Sequence, residues 1–93
     1  MEIAIYLVDR YLPDITQEEL VALQRAAIAT SERYTVDGTP VRYLRTTFVP
    51  SESHCMSLFE APNAKVVQEV NEAAQLPFTR IVEALDVPPQ SPY

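Results

Sequence analysis

The chain has one cysteine, one histidine and one glycine in 93 residues, and its seven lysines and arginines are outnumbered by thirteen acids. A lone Cys55 cannot close a disulfide within the chain. With a net charge of -6 and no basic cluster, the cations that would converge on a phosphate backbone are missing, so nucleic acid is not an expected partner. No apolar run approaches the roughly 20 residues that cross a bilayer, so no membrane partner is expected. Met1-Glu2-Ile3 has neither the basic segment nor the long apolar stretch of a secretory signal. These absences make a soluble cytoplasmic protein the expectation. There is also no Gly-rich phosphate loop, C-x-x-C, H-E-x-x-H or G-x-S-x-G, so no motif names a reaction.

What remains is the composition of a folded domain, with 47% apolar and 22% charged residues. A chain this short buries only about 60 to 65% of its unfolded surface, and a partner covering one face of a thin sheet would help it. Residues 2–10 (EIAIYLVDR) read as a strand apolar on both faces, suited to the centre of a sheet. Leu12-Pro13-Asp14 breaks it. Thr16 with Glu19 three positions on is a capping box, opening a helix over about 16–34. Leu20, Leu23 and Ala27 form its buried stripe, widened by Val21 and Ile28.

Gly38 supplies positive φ to the turn at 35–40. Strands follow at 41–49 and 54–61, joined as a hairpin through Pro50-Ser51-Glu52-Ser53. In the first of these, Tyr43, Arg45 and Thr47 alternate with Leu44, Thr46 and Phe48. Asn63 caps a second helix whose stripe is Val66, Val67, Val70, Ala73 and Ala74, and Leu76-Pro77 ends it. The last strand is expected at 80–87. Residues 1–87 thus form one domain and 88–93 a proline-rich tail that suits neither a helix nor a central strand.

The order β-α-β-β-α-β predicts an α+β, ferredoxin-like fold: a four-stranded antiparallel sheet, strands one and three central, both helices on one face. Tyr6, Tyr43, Leu58 and Leu85 are too many large groups to leave wet on the other face. The expectation is a homodimer through the sheet face, a dimeric α+β barrel enclosing a modest cavity.

Four sets of residues could carry chemistry. Arg45, Glu60 and Glu83 can face one side of the sheet by strand alternation, as a polar-ligand or acid/base cluster; alternatively the glutamates sit solvated at strand ends or pair with Arg45 or Arg80. His54 and Cys55 are the strong soft-metal ligands, but neighbours on a strand point to opposite faces and cannot chelate one ion together. Cys55 also suits a small buried apolar position, and His54 a solvated one beside a turn. Glu69 and Glu72 could add a weak hard-metal contact or simply be a wet helix face. Tyr6 and Tyr43 could offer hydroxyls to a cavity, or pack in the core.

The stretches YLVDRYLPDIT (6–16), VRYLRTTFVP (41–50), LFEAPNAKVVQEV (58–70) and AAQLPFTRIVEAL (74–85) together resemble the small nickel-binding family of bacterial ferredoxin-like proteins. The resemblance implies a dimeric α+β barrel and a role in binding nickel. It also implies a histidine near Val70 or Asn71, a cysteine near Ser57 and a glycine near Gln75, none of which this chain has. The function expected is a small cytoplasmic binding protein for nickel, another divalent metal or a small polar ligand, with Tyr6, Tyr43, Arg45, Glu60 and Glu83 lining the pocket and His54 as metal ligand. The rival is a cofactor-free isomerase or monooxygenase of the dimeric α+β barrel type.

Overall fold

Thr16 and Asn63 start the two helices as their side chains dictate. In the computed structural model, which describes residues 2–90, Glu19 N–H donates to Thr16 Oγ1 at 3.1 Å and Thr16 N–H to Glu19 Oε1 at 2.9 Å. This capping box opens α1 (Gln17–Val36). Val66 N–H donates to Asn63 Oδ1 at 3.0 Å and opens α2 (Ala64–Ala73).

The strands are β1 (Ala4–Tyr11), β2 (Arg42–Val49), β3 (His54–Ala61) and β4 (Arg80–Ala84), with a 3₁₀ turn at Pro50–Glu52. They form one antiparallel sheet in the order β2-β3-β1-β4, which is the ferredoxin-like arrangement. β4 stops at Ala84 rather than running to 87, because its pairing with β1 ends at Ile5 and Ala84. Pro88–Gln90 carry no regular structure, and residues 91–93 of the expected tail lie outside the described residues.

One face of the sheet is covered. Tyr6 and Val8 of β1 and Phe59 and Ala61 of β3 pack under Ala27 of α1 and Val66, Val67 and Val70 of α2. Tyr43 meets Phe59 edge to face at 5.6 Å. Tyr6 and Tyr43 therefore belong to the core and not to the open face where they were expected.

Two helix stripes also differ from expectation. In α1 the buried positions are Leu23, Ala27, Thr30 and Ser31, whereas Val21 and Ile28 stay exposed, about a third of a turn off the contact line at 3.6 residues per turn. In α2 Asn71 is buried beside Val66, Val67 and Val70, and Ala73 is exposed.

The alternation of β2 is broken by a bulge. Tyr43 pairs with Phe59 and Arg45 with Leu58, so Leu44 is an extra residue without its own partner. Beyond it the facing reverses: Thr46 and Phe48 join Tyr43 on the helix side, and Arg45 and Thr47 join Arg42 on the open side.

Gly38 has φ +100° with open space around it, so the backbone angle is what requires glycine there. After α2, Leu76 N–H donates to Asn71 O and Gln75 N–H to Glu72 O, a Schellman closure with Gln75 in the left-handed region at φ +58°.

Candidate functional site

Alternation along β1 sends its neighbouring charged residues in opposite directions: Asp9 to the open face, Arg10 under the helices. Each organises a polar cluster.

On the open face, Asp9 sits between β3 and β4. His54 Nε2 lies 2.7 Å from Asp9 Oδ1, and Arg80 Nε donates to Asp9 Oδ2. The Asp9 side chain is buried while His54 is partly open and Arg80 mostly so. Burial acts to raise the Asp9 pKa, but hydrogen bonds and charge from His54 and Arg80 outweigh it, and the carboxyl ends below its ordinary value.

Beside this cluster runs an apolar strip, Ile5 and Leu7 of β1, Met56 and Leu58 of β3 and Val82 of β4, all half-buried with no helix above them among the described residues. At its far end Arg42 Nε donates to Glu60 Oε1 at 2.8 Å. Arg45 pairs with Asp86. Because β2 and β4 are opposite edges, roughly 14 Å apart, that pair requires the chain after β4 to turn back across the open face.

Under the helices, the Arg10 guanidinium is 1% exposed and faces no carboxylate partner among the described residues. It donates to Asn71 Oδ1 at 2.7 Å, to the Pro77 carbonyl at 3.0 Å and to Ser57 Oγ at 3.3 Å. Asn71 in turn donates to Val67 O at 2.8 Å. Ser57 Oγ is linked to Thr46 Oγ1 at 2.9 Å, and Thr46 accepts from Tyr43, whose hydroxyl accepts from Gln24. Neutral oxygens thus hold a buried cation at the C-terminal end of α2, where the helix dipole favours positive charge. Cys55 lies opposite Arg10 in the register; burial pushes its thiol pKa up, against the opposing pull of Arg10 and Ser57.

The six residues expected to share a pocket are split between these faces. Arg45, His54 and Glu60 lie on the open face, with His54 and Glu60 at opposite ends of β3. Tyr6, Tyr43 and Glu83 lie on the helix side: Glu83 pairs with Tyr6 in register and is exposed at the edge. Glu60 takes Arg42, not Arg45 or Arg80, as its partner. Asp9, Arg10, Ser57, Asn71 and Arg80 were missed. The signal for the first two was present, since adjacent charges within a strand must face opposite ways.

A divalent ion such as nickel needs three or more converging donors. Among the described residues no three His, Cys, Asp or Glu side chains meet that condition. His54 and Asp9 are the candidates on the open face, but Asp9 Oδ1 is engaged by His54 Nε2 and Oδ2 by Arg80, which leaves Nδ1 of His54. Cys55 is on the other side of the sheet. Ser57 and Asn71, at the places where the resemblance implies cysteine and histidine, are both engaged by Arg10. The described residues of one chain therefore do not bring together a metal site.

Strand order, helix placement and the open apolar face define a ferredoxin-like α+β protein of the small, sheet-exposing kind. The chain belongs to the SCO4226-like family of nickel-responsive proteins, whose family model matches residues 6–84. The crystal structure of SCO4226 from Streptomyces coelicolor A3(2) matches it with a TM-score of 0.77 over 90% of this chain and 100% of that one, at 24% identity, a likeness of fold. None of the curated proteins matches the chain. No helix among the described residues is long and apolar enough to cross a membrane.

Proposed function

We propose that the protein is a small cytoplasmic binding protein that pairs with a second copy through the open face of its sheet. In the space so enclosed it takes a divalent ion, nickel by the family's description, or another small polar ligand. The observation that carries this reading is the His54–Asp9 contact of 2.7 Å at the end of an apolar strip that no helix covers among the described residues. Asp9 holds Nε2 of His54 and leaves Nδ1 as the ring nitrogen open to a metal, so each chain offers one imidazole donor and a second copy facing the first would bring another, the remaining positions falling to water or a ligand. The strip gives the pairing its driving force, because large apolar side chains left on one sheet face are stabilised by cover at about 25 cal/mol per Å². The lone, buried Cys55 accords with a reducing compartment.

The acid/base alternative asks for a carboxylate raised toward neutrality. At Asp9 the net shift is downward, which makes a weaker base, and Glu60 is tied to Arg42.

The test combines light-scattering mass with calorimetric titration of nickel into metal-free protein. The expected result is a dimer that binds one nickel per two chains, with affinity at least tenfold weaker in His54→Ala, about 1.4 kcal/mol. Absence of saturable binding removes the metal and leaves the small polar ligand. A monomer that neither nickel nor concentration converts to a dimer removes the pairing.

A further inference from the structure

A cleft of about 670 Å³ lies away from the open face, where α1 runs beside β2 at the free edge of the sheet. Ile28, Val36, Val41 and Leu44 make its walls. Two features already described create it. The bulge in β2 turns Leu44 out of the regular alternation, and the rotation of α1 leaves Ile28 outside the buried stripe. Val36, at the end of α1, is 84% exposed, a large apolar group left wet at the cleft's edge.

Of two polar groups at the cleft, the exposed one sets its chemical preference. Ser31 lines it, but its Oγ, the buried side-chain atom without a hydrogen-bond partner among the described residues, is closed to a ligand by its own burial. Glu32, the next residue, is exposed at the rim and makes no ion pair among the described residues, whereas the neighbouring cation, Arg42, is engaged with Glu60. The charge left available to a ligand is therefore negative.

We propose that this cleft is a binding site for a small apolar amine. The body of the ligand lies against Ile28, Val36 and Leu44, and its ammonium pairs with Glu32 at the rim. The site depends on neither the pairing of sheets nor a metal.

The test is titration of the full chain with tryptamine, followed by amide chemical shifts in NMR and by ligand fluorescence, which the chain's lack of tryptophan leaves unobscured. Saturable binding with shifts concentrated at residues 28–36 and 41–44 is expected. Indole-3-propionate, with the same ring but the opposite charge, should bind at least tenfold more weakly. Glu32→Gln should weaken tryptamine several-fold, and Ile28→Phe, which adds bulk without an indole, should block it; an unchanged spectrum outside the cleft confirms that each variant folds. No saturable tryptamine binding, equal affinity for the two compounds, or shifts confined to the open face would overturn the proposal. So would shifts of the cleft amides that grow with protein concentration alone, which would assign the groove to a second copy of the chain.

Discussion

Arg10 is the residue on which most of the interior polar chemistry converges. Removing it strands Asn71 Oδ1 and the Pro77 carbonyl, takes from Ser57 Oγ one of its two partners, and leaves a void the size of a long side chain. Arg10→Ala should lose at least about 3 kcal/mol in urea unfolding, a large share of the 5 to 15 kcal/mol typical of a whole domain. Asp9 makes a second prediction at this scale. Its folded pKa is depressed, so its contribution to stability is present above the unfolded carboxyl value near pH 4 and is lost as pH falls through the lower folded value. Metal-free Asp9→Asn should be less stable than wild type at pH 7, and unfolding midpoints should show it losing less on acidification to pH 3. Both residues were visible in the sequence as charges at the end of an apolar strand. What they touch was not, because the partners lie 45 to 71 positions away and only the sheet register brings them near.

At the level of elements, legibility followed the range of the interactions. The caps at Thr16 and Asn63 were readable because each acts on the N–H groups of the next three residues. The bulge at Leu44 was not: with Tyr43, Arg45 and Thr47 in perfect alternation, nothing local announces an extra residue, and the facing of Arg45 depends on it. The faces of Glu60 and Glu83 could be told apart only after β4 was registered against Tyr6. The end of α2 combines both lessons. Gln75 was readable as a poor C-terminal cap, and its φ of +58° is a conformation that side chains with a Cβ resist. Gln75→Gly should raise stability by about 0.5 to 1 kcal/mol, measured as a rise in urea midpoint with unchanged slope.

For the molecule as a whole, the open face carries the expectation. Leu7 stands near the middle of the apolar strip, half-buried in the single chain and paired in register with Leu58 and Val82 on either side. A lysine there leaves the helix-covered core untouched but places a charge where a second sheet would pack. Leu7→Lys should hold the protein as a monomer in light scattering, with the circular dichroism of the folded chain retained. The strand order has a further consequence, for the chain as it is made. Of the four strands β1 is made before the others, yet it lies inside the sheet. One of its edges waits for residues 54–61 and the other for residues 80–84. The most apolar strand is thus the earliest synthesised and the last to be enclosed, and through most of translation it is exposed to any other strand that passes.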